Sequence, residues 1–276
     1  MTPTPRMSTQ ELGLILGAKL LKTDDLHYGF WKGGMEVSFA NMGAAQEAYT
    51  EFLIGRIPAG VETVLDVGCG TGALAKRLIE RGYRVECVTP SETLADMAQL
   101  RLGPEVKIYR ETFEGLQAAG PYDLVLCAES FQYLKQTGAF RKAAELLRPG
   151  GHLLICDFFK RDEVRKSALG GGHRLARFHR IRGEFPFELV DEQDITAETA
   201  PNMIIADRLL TEYALPIWDS LRRYLRANYP KLCWIAAKLF AKRLDRIESR
   251  FLGRHLDPAE FERSKAYKLF LLRRTG

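Results

Sequence analysis

No run of about 18 apolar residues occurs anywhere in the chain, so no segment has the length that a membrane-spanning helix needs. The start, Met1-Thr-Pro-Thr-Pro-Arg6, lacks the basic stretch and apolar core of a secretory signal, and the expectation is a cytoplasmic protein. Cysteine is sparse. Cys69, Cys87, Cys127, Cys156 and Cys233 are the five, and no two stand in CxxC spacing. Four of them fall in or beside expected central strands, where a free thiol is a small core residue. We therefore expect reduced thiols, with neither a disulfide framework nor a metal site. Internal repeats and low-complexity stretches are also missing, which sets aside solenoids and disordered tails.

What is present is ordinary globular material. The 46% apolar share supports a sizeable core. A length of 276 residues suits one α/β domain plus an appended part. The net charge of +5 is uneven: residues 160–276 carry 24 Lys and Arg against 16 Asp and Glu (+8), and the remainder 16 against 19 (−3). This separates a neutral-to-acidic core from a basic appendage.

Hydrophobic spacing places a short helix over 9–22 and another over 43–56, separated by the aromatic run Leu26-His-Tyr-Gly-Phe-Trp31. From Val61 strands and helices alternate. Strands are expected at 61–67, 84–88, 106–109, 122–127 and 152–158, and helices at 72–81, 92–102 and 139–147. Such alternation means right-handed crossovers and a mostly parallel sheet covered on both faces. After residue 160 the rhythm changes: Leu169-Gly-Gly-Gly-His173 reads as a loop, 203–228 and 230–252 as helices, and 267–273 as a last strand at the antiparallel edge.

The first strand ends in Asp66-Val-Gly68-Cys-Gly70-Thr-Gly72, directly before a helix. Glycines there accept positive φ and let the backbone approach a ligand, while the helix start offers free N–H groups. Gly68-x-Gly70-x-x-Ala73 also fits the relaxed dinucleotide pattern, which keeps an NAD(P)-dependent oxidoreductase open. Two features oppose it. Asp66 would repel a pyrophosphate but favour a cationic sulfonium, and position 89, where an NAD ribose needs an acid, is Thr89.

Three segments in order, Val64–Gly72, Tyr122-Asp-Leu-Val-Leu-Cys-Ala-Glu-Ser-Phe131 and Leu146-Leu-Arg-Pro-Gly-Gly-His-Leu-Leu154, resemble the class I S-adenosylmethionine-dependent methyltransferases across about residues 60–160. The resemblance implies that Asp66, Gly68, Gly70 and Gly72 hold the cofactor's methionine end. It likewise gives Glu111 the adenine amino group, with Thr112 and Phe113 beside the ring; from the residues alone Glu111 is equally a solvated loop acid. The chain departs from the pattern at Val88-Thr-Pro-Ser-Glu92, where most members carry a ribose-binding acid. Similar turns occur in cyclopropane-fatty-acid-type lipid methyltransferases, and Thr89 and Ser91 become the substitutes, with cofactor binding weaker by about 1 kcal/mol. His27-Tyr28-Gly-Phe-Trp31 resembles a segment of tocopherol-, sterol- and sugar-type methyltransferases that implies a lid. Tyr28 and Trp31 would then meet the sulfonium by cation–π attraction. The alternative is an aromatic cluster that pins the N-terminal helix.

Methyl transfer is an in-line displacement, so the protein aligns the acceptor and, for a hydroxyl, removes a proton. Glu129, Asp157 and His27 are the catalytic candidates, and Gln132, Tyr133 and His173 the acceptor contacts, with His179 a further base. Glu129 as a helix cap and Asp157 as a turn residue remain open. A small-molecule or lipid-like acceptor is expected. The Asn/Asp-Pro-Pro-aromatic motif of nucleic-acid amino-methylating enzymes does not occur after the fourth strand, so no nucleic acid is expected; a homodimer stays open.

Residues 221–254 hold ten Lys and Arg against Asp245 and Glu248. From Pro230 a helix would align Leu232, Ile235, Leu239, Leu244, Ile247 and Phe251. This is either a cap over the acceptor pocket or a peripheral contact with the inner face of a membrane. The expected architecture is α/β and Rossmann-like: a mostly parallel seven-stranded sheet with helices on both faces. It has an N-terminal lid (1–58), a cofactor-binding core (59–160 and 264–276) and a mostly helical acceptor-binding cap (161–263). Transfer of a methyl group to a small acceptor is the leading function; an oxidoreductase and a non-catalytic membrane or partner adaptor are the alternatives.

Overall fold

The computed structural model describes residues 15, 17, 19–23, 25–117, 120–164, 169–231, 233, 234, 238 and 256–276. The strands are β1 Thr63–Val67, β2 Arg84–Val88, β3 Ile108–Tyr109, β4 Tyr122–Ala128, β5 Leu147–Lys160, β6 Phe187–Asp194 and β7 Lys265–Arg274. They form one sheet in the order β3-β2-β1-β4-β5-β7-β6. The first five are parallel, and β7 runs antiparallel to both β5 and β6. The chain moves outward from β1 to β3, then returns to place β4 on the other side of β1. The resulting switch point lies between β1 and β4, where open α/β sheets bind ligands beyond the strands' carboxyl ends.

The sheet is buried on both faces, as near-continuous apolar strands such as Leu124-Val-Leu-Cys127 require. Alternation divides the strand residues between two cores. Val64, Leu124, Leu126, Leu154, Leu269 and Leu271 face one way, onto Tyr49 and Leu53 of α1 (Met42–Ile54) and Leu74 and Leu78 of α2 (Ala73–Glu80). Leu65, Val125, Leu153, Ile155, Phe270 and Leu272 face the other, onto α4 (Gln136–Leu146) and α5 (Leu175–Arg182). Between them in sequence, α3 (Glu92–Leu102) starts where Ser91 Oγ accepts from Leu94 N at 3.1 Å. All five cysteines are free and four are buried.

The later chain differs from expectation in two places. Phe187–Asp194, assigned to the helical cap, is a strand of the sheet. Its sequence Phe-Glu-Leu-Val-Asp-Glu-Gln-Asp is mostly polar because it is an edge with solvent on one side, and charge there discourages pairing with another chain. The last strand, expected at the edge, is therefore internal, which explains its continuous apolar run. The helical region 203–228 appears as α7 (Asn202–Arg208), a π-helical turn Leu209–Ala214 and α8 (Leu215–Asn228), preceded by α6 (Thr196–Thr199) and followed by α9 (Pro258–Ser264). Most of the expected helices at 9–22 and 230–252, with the Leu232–Phe251 stripe, lies outside the described residues; within 9–22, residues 15, 17 and 19–21 are helical. Among the described residues no helix is long and apolar enough to cross a membrane.

Phe178 fixes the second core. Its ring centroid lies 4.5 Å from Phe270, 4.9 Å from Phe159 and 5.7 Å from Phe131 and Phe140. Phe178→Ala should cost about 3–5 kcal/mol in chemical denaturation; a loss well under 1 kcal/mol would contradict this packing.

Candidate active site

A cavity of about 770 Å³ opens at the carboxyl ends of β1, β2 and β4. Such a volume lies within the roughly 300–1,000 Å³ of sites that enclose a small ligand. Its floor is the loop Asp66–Thr71, its sides are Val88–Leu94, Thr112–Glu114, Ala128–Ser130 and Tyr133–Lys135, and Asp25, Leu26 and His27 close it from above.

The glycine loop follows from close contacts. Gly68, Gly70 and Gly72 have φ of +76°, +56° and +79°. A Cβ on Gly68 would fall 2.5 Å from that of Ser130, so only glycine lets the loop lie against the β4 end. Gly72 serves a different purpose: it starts α2 where a Cβ would press on Ala98 and Leu102 at 3.1–3.2 Å, and it does not line the cavity. Asp66 is 2% exposed, and its Oδ2 has no hydrogen-bond partner. Burial pushes its carboxyl up to about 7. A buried acid that faces a cavity without a partner fits a ligand carrying positive charge.

Around this floor the expected ribose and adenine contacts divide. Thr89, Ser91, Thr112 and Phe113 line the cavity. Ser91 Oγ also caps α3, and Thr89 Oγ1 accepts from Ser91 N at 3.4 Å. Glu111 does not line it; Glu114 does, one turn of 3₁₀ helix later, with Oε1 accepting from Lys135 N at 2.8 Å. Glu92 is a wall residue that spacing did not single out, and its carboxylate is paired with Arg110 at 2.6 Å.

The aromatic run serves chiefly as a strap. Asn202 of α7 holds both backbone groups of Gly29, at 2.8 and 2.7 Å, and Phe30 N donates to Ala45 O at 2.8 Å. Gly29 has to be glycine, because a Cβ would sit 2.6 Å from that of Ala45. Tyr28 and Trp31 were expected against a sulfonium, but neither lines the cavity. Tyr28 packs with Phe158, Phe261 and Tyr267 at 6.0–6.2 Å, and Trp31 is 5% exposed among Met42, Ala45 and Ile205. They pin the N-terminal segment and, among the described residues of that segment, leave Asp25, Leu26 and His27 over the opening.

Glu129 and His27 meet across this opening. Glu129 takes the left-handed φ of +54°, a cost of about 1–3 kcal/mol that surrounding bonds must sustain. Its N donates to Cys156 O at 2.8 Å, while Oε1 accepts from Tyr28 N at 2.7 Å and Tyr267 OH at 2.6 Å. Tyr267 OH is 3.1 Å from Tyr49 OH, which extends the chain of hydroxyls into the core. Burial raises the Glu129 carboxyl, against the opposing pull of His27 and these donors. His27 Nδ1 donates to Tyr28 O at 2.8 Å, and Nε2 lies 3.3 Å from Asp25 Oδ1. Burial lowers the imidazole, but the Asp25 hydrogen bond with the Asp25 and Glu129 charges outweighs it and leaves His27 above its ordinary value.

The other acceptor candidates lie behind the wall. Asp157 accepts from Gln132 N at 2.8 Å, Gln132 Nε2 at 3.2 Å and Phe158 N at 2.8 Å, so Asp157 and Gln132 brace the turn after β4 and neither lines the cavity. His173 Nε2 lies 3.1 Å from Phe131 O and 3.0 Å from Leu134 O, and it ties the triple-glycine loop to that turn. His179 packs on Phe178 and Phe270. Tyr133 lines the mouth and is 59% exposed.

Residues 64–151, from β1 into β5, match a family model described as a methyltransferase domain. Residues 64–151 thus correspond to a methyltransferase domain. Over 134 residues this domain region is 32% identical to a ubiquinone biosynthesis O-methyltransferase of Xanthomonas axonopodis pv. citri, covering 46% of this chain and 56% of that one. The chain thus spans about half the length of that relative. Two solved structures share the methyltransferase domain's fold across 99% of this chain and all of theirs, each at 16% identity. One is geranyl diphosphate C-methyltransferase from Streptomyces coelicolor, with S-adenosyl-L-homocysteine bound (TM-score 0.68); the other is a cyclopropane synthase from Mycobacterium tuberculosis (TM-score 0.69).

The Asp66 carboxyl gives a signed pH test. Because its value in the free protein is raised to about 7, a cationic ligand that needs it ionised must displace a proton below that pH. Affinity for S-adenosylmethionine should rise up to about tenfold per pH unit below 7 and level off above it. Asp66→Asn should weaken binding and flatten the profile; an unchanged slope in that variant would refute the assignment.

Proposed function

We propose that this chain transfers the methyl group of S-adenosylmethionine to a small-molecule or lipid-like acceptor, releasing S-adenosylhomocysteine. The observation that carries the reading is the unpartnered, buried Asp66 carboxylate on the floor of a cavity whose roof holds the Asp25–His27–Glu129 group. When bound, S-adenosylmethionine supplies an electrophilic methyl already activated on a sulfonium. The residues present fit it: Asp66 opposes the positive end, Gly68 and Gly70 allow close backbone approach, and Thr89, Thr112 and Phe113 remain for the nucleoside. Loss of a charged ribose partner makes this binding weaker, since a hydroxyl contributes less than a carboxylate.

Glu129 is the base we assign for a hydroxyl acceptor. Both of its side-chain hydrogen bonds fall on Oε1, which leaves Oε2 to meet the acceptor. His27 is not the base we assign, because its Nε2 is turned to Asp25 and its Nδ1 to the Tyr28 carbonyl. Asp157 and Gln132 act as positioning residues through the turn that carries Glu129. In this reading the strap 25–31 forms the lid and reduced cysteines agree with a cytoplasmic setting, while among the described residues none of 161–263 lines the cavity.

An oxidoreductase on the same fold predicts the opposite ligand preference. Thermal shifts should show protection by S-adenosylhomocysteine and none by NADH; protection by NADH alone would end the methyltransferase reading. Labelled methyl from S-adenosylmethionine should also appear in a metabolite or lipid extract, and its absence would favour a non-catalytic adaptor. With a hydroxyl acceptor, Glu129→Gln should lower kcat about 10²–10⁴-fold while cofactor affinity stays within a few-fold. Activity of the parent protein should fall as acid protonates Glu129. Unchanged kcat in the variant would move the proton transfer elsewhere.

A further inference from the structure

Among the described residues, helix α8 packs little against the sheet and its covering helices. Neither it nor the turn Leu209–Ala214 before it contains a buried residue, and that preceding turn is its main packing partner. Its sequence is nevertheless two-sided. At 3.6 residues per turn, Tyr224, Ile217, Leu221, Leu225 and Trp218 fall within an arc of about 120°. Arg222, Arg223 and Arg226 occupy the remainder, with Arg223 bound to Asp219 at 2.6 Å. Ile217 is 62% exposed and Leu221 46%, which is unusual for an apolar stripe of this regularity.

The exposed chemistry is that of a water–lipid boundary. The chain has three tryptophans; Trp31 is in the core, and the other two, Trp218 and Trp234, are exposed here with Tyr213, Tyr224 and Tyr229. Such rings place an apolar body in the acyl boundary and a polar tip in water, while arginine stems extend to headgroup phosphates. Charge selects the occupant. Residues 215–231 carry four Lys and Arg against Asp219, a balance of +3, and 232–255 carry six against Asp245 and Glu248, or +4. A second copy of α8, or the chain's own next segment, would bring like charge to this helix, whereas an anionic surface would complement it.

We propose that α8 docks by its Ile217–Leu221–Leu225 face into the headgroup region of an anionic lipid bilayer, as a peripheral anchor. Through Leu209–Ala214 it continues into α7, whose Asn202 grips the backbone of Gly29 two residues from His27. The anchor is thus joined by one helical segment to the strap over the cavity. This inference concerns a surface apart from the cavity, and it stands or falls independently of methyl transfer.

The full chain should float with vesicles of phosphatidylcholine and phosphatidylglycerol but not with phosphatidylcholine alone, and added salt should weaken binding. Arg226→Gln should weaken it about fivefold. Ile217→Glu with Leu221→Glu should abolish flotation and leave the thermal shift with S-adenosylhomocysteine unchanged, which separates this result from a failed cofactor site. No flotation at low salt, or equal flotation of the double variant, would overturn the proposal. So would a dimer that the double variant splits, which assigns the face to a second copy. Strong protection of 215–228 from deuterium exchange without vesicles would assign it to the chain itself and equally overturn the proposal.

Discussion

A carboxylate buried without a partner is the constraint around which this molecule is arranged. Ionised Asp66 in a dry setting costs several kcal/mol unless a positive charge arrives, and burial answers by raising its proton affinity. The fold places this acid where β1 and β4 part, on the floor of the cavity, with Oδ2 buried and without a hydrogen-bond partner. Positive-φ glycines then bring the backbone alongside, and Ser130 closes against Gly68 with no room for a side chain. An NAD pyrophosphate would meet repulsion at the same place. The family match over 64–151 and the electrostatics of the loop therefore point the same way for separate reasons.

The second constraint is the strap. Its backbone is held by Ala45 of the next helix and by Asn202 and Glu198, far away in sequence, so closing the cavity depends on packing between the N-terminal segment and the region after β6. Glu129 joins the two: it accepts from the strap at Tyr28 and from the sheet at Tyr267, in a backbone conformation that only such bracing sustains. Five acidic side chains, Asp25, Asp66, Glu92, Glu114 and Glu129, thus line the cavity, with His27 and Lys135 among them. That balance favours a cationic ligand.

Much of this was legible in the residues. The strand ending in Asp66, the three glycines, and the runs 122–131 and 146–154 located the core, because period and turn chemistry are local. What escaped was set by tertiary partners. β6 reads as polar because it is an edge with one wet face. Tyr28 and Trp31 looked like cofactor contacts, yet their rings face the core, since the strap's direction is fixed by Gly29 against Ala45. Asp157 and His173 kept the chemistry of bases but spend it on backbone groups of the β4 turn. Glu111 and Glu114 are three residues apart, and only the turn between them decides which reaches the cavity. The apolar residues of α8 have the spacing of a core-facing stripe, and only their exposure distinguishes them from one.

The central claim is that Asp66 waits for a positive charge. Its carboxyl carbon can be followed by NMR in protein labelled at aspartate, with Asp66→Asn to assign the signal. The account predicts a titration near 7 in the free protein, and a carboxylate that stays ionised well below that pH once S-adenosylmethionine is added. An ordinary carboxylate midpoint in the free protein, or a midpoint that the ligand leaves unmoved, would contradict it.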